Sequence, residues 1–591
     1  MRPPKYSWPD TDGSRGILMF AQLMAEMLNP KAFESYRVYS LDTTARLDEA
    51  LELCEDVKLS RIPSATLLPV FGELDWSLKN DPAALALAPS EIESLFEVIK
   101  NKNNVSLNDF GFHLVLLRKR LDITYKIKIE QLILSCFDVP NKKGELRKLV
   151  GFYCSHLINS GYSRRHVNHL VGEYFFSKQL LRVGKPTLNK FFREFDGKHK
   201  KFIVHAAVTK DLGHYLRGLS FTVREISSLT PEQQRTFSTN HNFSRTPLAI
   251  EISVERLDPF GAAAFGHLIL GAQRAISYLD PTGMSCEWGD TLHVTKAKAQ
   301  SGSTVSKGDL LLAASSPKTS ASGNRLRSIS NYARSIFTNF DKESTERLLS
   351  SINTASLART SVNPENQLIS FWSAIEVLLS EPRDQPRIVH YAGLITPCIT
   401  LRHTRRQVTY LFDRLLVTYK HKFRKILEPL ANGSPPITAR NFASMMFLPE
   451  HAASRQALCE ILSENPLALH RVWKLHHDYR DIKSAETTVR DHYNRVSWQL
   501  HRIYRARNQL VHSGKMPSYL ESVILNLAEY YRSSIATLIN RAKTEQYRSD
   551  IDQIVAEIGI QYGIVTSKLQ KRGPSVDLTP DHVRLLMDYN D

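Results

Sequence analysis

Residues 496–538, VSWQLHRIYRARNQLVHSGKMPSYLESVILNLAEYYRSSIATL, carry two helical patterns separated by a short polar turn. In the first pattern the apolar residues recur every three or four positions, as they do on the buried face of a helix. They are Val496, Leu500, Ile503, Leu510 and Val511. The pattern ends at Ser513–Gly514, and glycine suits the left-handed residue that terminates many helices. The sequence therefore predicts a helix that ends at Ser513.

A second helix is predicted directly after the turn. Ser518 and Glu521 have the spacing of a capping box at its start. Its apolar face comprises Leu520, Ile524, Leu527, Tyr531, Ile535 and Leu538. Because so short a turn joins the two helices, we expect them to pack as an antiparallel hairpin.

Polar side chains with complementary chemistry cluster at the end of the first helix. Arg507 follows Ile503 by four positions, so it emerges beside the apolar face, where a guanidinium needs a partner or a wet cleft. Asn508 and His512 are four residues apart and share a face. A planar cation can hold a phosphate, an amide can orient it, and an imidazole can move a proton. These residues therefore favour phosphoryl chemistry.

An earlier helix supplies a candidate acidic partner. Asn363 is predicted as its N-cap, with Pro364 in the first helical position, where the missing N–H costs nothing. The helix then shows an apolar stripe and ends before Pro382. The stripe is Leu368, Trp372, Ile375 and Leu379, and Glu376 lies next to it.

The segment Arg507-Asn508-Gln509-Leu510-Val511-His512 resembles the R-x4–6-H signature of HEPN ribonuclease domains, a family that includes Apea-like and anti-phage proteins. The resemblance covers about residues 340–545 and includes the order of the helices. It implies that Arg507, Asn508 and His512 are catalytic, and that Glu376 is the acid that commonly faces the arginine in this family.

The resemblance implies a metal-independent endoribonuclease that uses the RNA 2′-OH as nucleophile and leaves a 2′,3′-cyclic phosphate. HEPN domains usually act as symmetric dimers, so a homodimer with a composite cleft is expected. No cofactor is expected. The histidine and cysteine residues do not have the spacing of a zinc site, and so we expect no metal.

Basic residues could lead RNA to such a cleft. The segment 402–425 contains eight cations and a single acid, Asp413. From this segment and from the catalytic helix, five arginines are predicted to contact RNA phosphates, with a solvated helix face as the alternative. They are Arg402, Arg405, Arg406, Arg502 and Arg505.

Coarse patterns along the chain predict a mainly α, multidomain protein with a small α/β module in its middle. Residues 1–217 are expected to form a helical sensor or regulatory domain. Alternating apolar residues at 248–254, and a shorter run at 291–294, predict strands in a module at 218–335, which includes a Ser/Gly-rich loop at 301–324. A HEPN-like bundle is expected at 336–545, and a helical extension at 546–591.

Composition limits the expected partners and cellular compartment of the protein. The 591 residues carry a formal net charge of +17, which favours polyanionic partners without choosing among them. The six cysteines are far apart, as in reduced cytosolic proteins. The apolar run at 16–28 is interrupted by Gln22 and Glu26, which favours an amphipathic helix over a signal peptide. A cytoplasmic protein without membrane contact is expected.

The large N-terminal region suggests that the nuclease is restrained. Large single-chain HEPN proteins resemble prokaryotic anti-phage effectors that cause abortive infection, so a regulated toxin is the expected role, with a phage-derived or nucleotide trigger acting on the N-terminal region. The alternative is a non-catalytic HEPN-like dimerisation or nucleic-acid-binding protein, in which Arg507 and Glu376 form a structural ion pair.

Overall fold

The structure is a computed structural model of the chain. It describes residues 12–591 apart from 101–106, 123, 138–141, 178–182, 239–246, 280–283, 298, 300, 309–310, 312–322, 362, 383, 432–436, 546, 571–575 and 588–591. The described part of the chain is mainly helical, with one small antiparallel sheet in the middle of the sequence. The predicted fold class is confirmed at this level.

The chain forms two compact units. Residues 1–156 and 310–591 belong to the first unit, and residues 157–309 form the second. The sequence predicted boundaries at 217/218, 335/336 and 545/546 instead. The difference at the first boundary arises because the central strand of the sheet begins at Lys200, inside the segment predicted to be helical.

The first unit begins with eight helices, of which the last crosses the boundary between the units. They are α1 (Asp12–Met27), α2 (Thr43–Lys58), α3 (Leu67–Asn80), α4 (Pro82–Leu87), α5 (Pro89–Lys100), α6 (Leu107–Leu121), α7 (Tyr125–Ser135) and α8 (Lys143–Asn159). A single 3-10 turn at Glu34–Tyr36 lies between α1 and α2.

The second unit combines five helices with five strands. The helices are α9 (Arg164–Phe176), α10 (Lys185–Arg193), α11 (Lys210–Gly218), α12 (Pro231–Ser238) and α13 (Pro259–Ser277). The strands are β1 (Lys200–Val208), β2 (Thr222–Glu225), β3 (Leu248–Arg256), β4 (Thr291–Lys296) and β5 (Gly302–Ser306). The strand order is β2-β3-β1-β4-β5, and all neighbours are antiparallel.

Two of these five strands were predicted, and β1, β2 and β5 were missed. β3 and β4 confirm the expected strands at 248–254 and 291–294. β1 lies between them, with Val204 opposite Ile252 on one side and Val294 on the other. Residues Val204 to Val208 are all buried, so β1 lacks the apolar–polar alternation that indicates a strand with one solvated face. In the predicted loop at 301–324, residues 302–306 form β5, and most of the remainder lies outside the described residues.

Eleven helices complete the first unit. They are α14 (Gly323–Asn339), α15 (Lys342–Thr360), α16 (Pro364–Leu378), α17 (Arg387–Leu427), α18 (Ala439–Phe447), α19 (Ala452–Ile461), α20 (Pro466–Asp478), α21 (Ile482–Ser513), α22 (Leu520–Ala542), α23 (Ile551–Leu569) and α24 (Pro580–Met587). They share one hydrophobic core, to which α23 and α24 of the predicted C-terminal extension also contribute. α17 bends at Lys420, whose φ is 45°.

The predicted hairpin is present as α21 and α22. Gly514 ends α21 in the left-handed conformation, with φ of 64°. The predicted capping box is wrong. Tyr519 occupies the N-cap position of α22 without a side-chain hydrogen bond. The helix begins one residue later than predicted, after a backbone turn in which the Leu520 N–H donates to the Pro517 carbonyl at 3.1 Å.

α1 is the helix predicted at the start of the chain. The two polar residues that interrupt its apolar run are buried against α20. Gln22 Nε2 donates to Asn465 Oδ1 at 3.2 Å, and Glu26 Oε2 accepts from Arg471 Nη2 at 2.7 Å. The residues therefore fasten α1 to the bundle. Across the described residues, every helix is too short or too polar to traverse a lipid bilayer.

Candidate functional site

Of the four predicted catalytic residues, Arg507, Asn508 and Glu376 meet where α16 packs against the C-terminal part of α21, whereas His512 lies five positions beyond Arg507 in the exposed last turn of α21. Asn363 and Pro364 start α16 as predicted, although the Asn363 side chain makes no capping bond. Arg507 Nη2 lies 3.7 Å from Glu376 Oε2, and Arg507 Nη1 donates to Asn508 Oδ1 at 3.0 Å. The expected approach of the acid to the arginine is therefore present.

Glu376 is held in place from its own helix. The Trp372 indole Nε1 donates to Glu376 Oε1 at 2.8 Å, and these residues are one helical turn apart. Trp372 is fully buried, and its ring lies 5.3 Å from the ring of Tyr504, which precedes Arg507 by one turn on α21. The indole thus fixes one carboxylate oxygen and leaves the other facing Arg507.

The site is open to solvent. The side chains of Arg507 and Glu376 are each 23 % exposed, and His512 is exposed in the last turn of α21. Arg507 Nε is buried, with no hydrogen-bond partner among the described residues. The ion pair is long, so it leaves most of the donor capacity of this guanidinium for a ligand. A phosphate could approach Arg507 and Asn508 from the same side of the helix end.

Two of the predicted RNA contacts are incompatible with the structure. Arg502 is 1 % exposed, and its guanidinium pairs with Glu49 and Glu73, each with an N–O distance of 2.6 Å. Arg505 Nη2 donates to Glu49 Oε1 at 2.8 Å. Both arginines are therefore neutralised by carboxylates of α2 and α3 and do not face a phosphate. Arg502 and Arg505 fasten the N-terminal helices to α21.

The electrostatics of this network are strong. Burial would raise the pKa of Glu49, but the attraction of Arg502 and Arg505 outweighs burial and holds the pKa at about 2. Arg502 and Arg46 act in the same sense on Glu73 and lower its pKa despite its burial. Both carboxylates are consequently ionised at neutral pH.

The other three predicted RNA contacts line one cavity of about 1010 Å³. Its basic side chains are Lys31, Arg37, Arg359, Arg402, Arg405, Arg406 and Arg532, and its acidic side chains are Glu34, Asp413 and Glu529. Arg405 is exposed, whereas Arg402 Nη1 donates to the Ser533 carbonyl at 3.2 Å. The excess of cations makes this cavity attractive to a polyanion.

Arg406 is the most constrained of the three. It pairs with Glu529, and its Nη1 lies 3.6 Å from Glu34 Oε2. Burial would raise the pKa of Glu529, but Arg406, Arg532 and Arg37 outweigh it and hold the pKa at about 2. Arg405 is therefore the residue of this set best placed to meet an external phosphate.

Three groups of the metal-binding type also meet in the first unit. Glu34 Oε1 lies 3.3 Å from His403 Nδ1 and 3.4 Å from His492 Nε2. The two imidazoles stack, with centroids 3.5 Å apart and 18° between their planes. A ring nitrogen binds a metal in the plane of its ring, so two stacked rings cannot both direct a lone pair to one ion. Burial lowers the pKa of both histidines and so favours their neutral forms.

Sequence reasoning missed the carboxylates that neutralise Arg502 and the arginines that join Arg405 in its cavity. Glu49 and Glu73 are 453 and 429 residues away from Arg502 in the chain. Arg359 and Arg532 lie on different helices, α15 and α22. No local spacing connects such residues. The only signal was that Arg502 precedes the buried Ile503 on the inner side of α21.

Comparison of the chain with family models, with curated proteins and with solved structures finds no match.

Proposed function

We propose that the protein is a metal-independent endoribonuclease of the HEPN type. The observation that carries the proposal is the arrangement at the end of α21, where Arg507, Asn508 and His512 remain accessible and Glu376 faces Arg507 at 3.7 Å. A helix end that served only packing would not need an accessible guanidinium, amide and imidazole together.

The chemistry follows from the residue types. A base removes the proton from the RNA 2′-OH, and the resulting oxygen attacks the adjacent phosphorus. The bond from phosphorus to the 5′ oxygen breaks, and an acid protonates that oxygen. The products are a 2′,3′-cyclic phosphate and a 5′-hydroxyl. His512 transfers protons, Arg507 stabilises the charge at phosphorus, Asn508 positions the phosphate, and Glu376 orients Arg507.

One imidazole cannot serve as base and acid at the same instant. A homodimer that brings two copies of the turn together supplies both groups, and so the active form is a symmetric dimer. The exposure of His512 is compatible with such a composite cleft. Light scattering of the protein as it elutes from a size-exclusion column measures its mass. An active enzyme that is strictly monomeric would contradict this part of the proposal.

The decisive experiment is cleavage of total RNA by the purified chain in EDTA. The expected products end in cyclic phosphate, and His512→Ala should lower the rate by about 10²- to 10⁴-fold, the usual loss for a general acid or base. The matched control is His214→Ala, which removes an exposed histidine of α11 in the other unit and should leave the rate unchanged.

Melting curves of both variants should coincide with that of the parent, because both side chains are exposed. A 2′-deoxy nucleotide at the scissile position should block the reaction. Full activity of the folded His512→Ala variant, or cutting of the deoxy substrate, would refute the assignment. Intact RNA with every variant would support the alternative of a binding or dimerisation module.

The cellular role proposed is a restrained cytoplasmic toxin that acts in anti-phage defence. The support is architectural, because α2 and α3 of the N-terminal region pair with Arg502 on the same helix that carries His512. Growth of cells that express the chain should continue until phage infection and then stop. Equal growth arrest with and without phage would contradict the restraint.

A further inference from the structure

A second cavity in the first unit is lined by both N-terminal and C-terminal helices. Its volume is about 640 Å³, within the range of small-molecule sites. Its walls include Arg147 of α8, Trp76 of α3 and Arg495 of α21. Arg495 precedes Arg507 by 12 positions on the same helix, which places the cavity about 18 Å from the proposed catalytic turn.

The charge of this cavity is not balanced from within. Its basic side chains are Arg147, Lys148, Lys474, Arg480, Lys483 and Arg495, against three aspartates. Asp478 is already bonded to Lys474, and Asp481 to Arg480. Within the described residues, Arg147 and Arg495 have no carboxylate at ion-pair distance, and Arg147 Nε is buried without a hydrogen-bond partner.

Arg147 is the least compensated of these cations. Burial is the main cause that lowers its pKa; Tyr39 raises the pKa, the nearby charges of Arg471 and Arg495 lower it, and Asp478 raises it by the smallest amount. An isolated buried guanidinium is costly unless a partner anion completes it. The cost falls when a bound anion supplies that partner.

The other wall of the same cavity is aromatic. Tyr39 and Trp76 are half-buried, and their rings meet edge to face with centroids 5.5 Å apart. Phe152 packs behind them, 6.2 Å from Trp76. An aromatic wall next to uncompensated cations is the arrangement that binds a base and its phosphates together.

We propose that this cavity is a binding site for a nucleoside phosphate. The phosphate meets Arg147 and Arg495, and the base lies against Trp76 and Tyr39. The ribonuclease proposal is not needed for this inference, because binding is measured without RNA cleavage. The site is distinct from the arginine-lined cavity that contains Arg405.

Isothermal titration of the full chain with ATP, GTP, CTP and UTP, each to about 1 mM, tests the site. At least one nucleotide should bind. Arg147→Met should weaken that binding by about ten- to hundredfold, the usual contribution of a charged hydrogen bond. Arg359→Met, which removes an arginine from the other cavity, is the matched control and should bind as the parent does.

A ligand-binding role and a purely structural role for Arg147 predict opposite changes in the melting temperature of the Arg147→Met variant. If Arg147 awaits a ligand, Arg147→Met should raise the melting temperature of the ligand-free protein, because a half-buried charge without a carboxylate partner is removed. Trp76→Leu should weaken nucleotide binding about fivefold or more, whereas inorganic phosphate binding should not change. The proposal is overturned if no nucleotide binds, if Arg359→Met and Arg147→Met lose affinity equally, or if Arg147→Met lowers the melting temperature.

Discussion

Arg502 and Arg507 lie five residues apart on one helix and have opposite environments. Arg502 is buried and bonded to two carboxylates at 2.6 Å, whereas Arg507 is 23 % exposed and lies 3.7 Å from a single carboxylate. Five positions along an α-helix turn a side chain by about 140°, so the two arginines point to different neighbours. One charge is used for packing, and the other remains available to a ligand.

The difference shows how a basic helix divides its tasks. Glu49 and Glu73 reach Arg502 from α2 and α3, so this part of α21 is covered by the N-terminal helices. Beyond Ala506 the helix continues to Ser513 and ends in an exposed turn. The same residue type is therefore structural in the middle of α21 and a candidate for chemistry at its end.

The largest effect on stability is expected from Arg502→Met. The change leaves Glu49 and Glu73 buried without their main partner, and loss of one member of a buried ion pair usually costs about 3–5 kcal/mol. Urea unfolding followed by circular dichroism measures the free energy of unfolding. Arg507→Met is the matched control and should change that free energy by less than about 1 kcal/mol, because its ion pair is long and partly exposed.

For RNA cleavage the order of the two effects should be reversed, with the larger loss in Arg507→Met. Arg507→Met should lose cleavage while remaining folded, whereas Arg502→Met should retain cleavage under conditions in which it is folded. Equal destabilisation by both substitutions would remove the distinction between the two arginines.

Acid should release the N-terminal helices from α21. The pKa of Glu49 is about 2 in the folded chain against an ordinary 4.5, so its stabilising contribution is complete above pH 4.5 and is lost as the pH falls towards 2. The shift corresponds to about 3 kcal/mol. Thermal melting between pH 5 and about pH 3 should show this loss. In Glu49→Gln the melting temperature should depend less on pH in this window, and an unchanged dependence would exclude Glu49 as its source.

The smallest effect is expected from Arg405→Ala. An exposed arginine that contacts one phosphate contributes about one unit to the slope of log affinity against log salt concentration. RNA binding measured by fluorescence anisotropy over a salt series should therefore lose about one unit of slope. Arg61→Ala, at an exposed arginine paired with Asp56, should leave the slope unchanged. Identical slopes for the two variants would exclude Arg405 from the RNA surface.

Much of the C-terminal fold could be predicted from local chemistry. Pro364 starts α16 and Gly514 ends α21. In each of these helices an apolar stripe identifies the buried face. The predicted capping box is absent because α22 begins one residue later than predicted, with Tyr519 rather than Ser518 at the N-cap position. β1 was missed because a central strand is buried on both faces and shows no alternation. The position of β1 in the sheet depends on its neighbours β3 and β4, which the segment 200–208 alone does not reveal.

The amino-acid sequence by itself determined the helix boundaries around the candidate site, the short separation of Arg507, Asn508 and His512, and the positive charge of the chain. These depend on residues within one or two helical turns of each other. Only the tertiary structure decided which arginines are neutralised, because Glu49 and Glu73 reach Arg502 across more than 400 residues of chain. Burial and pairing depend on such distant partners, and they separate a structural arginine from one that is accessible to a phosphate.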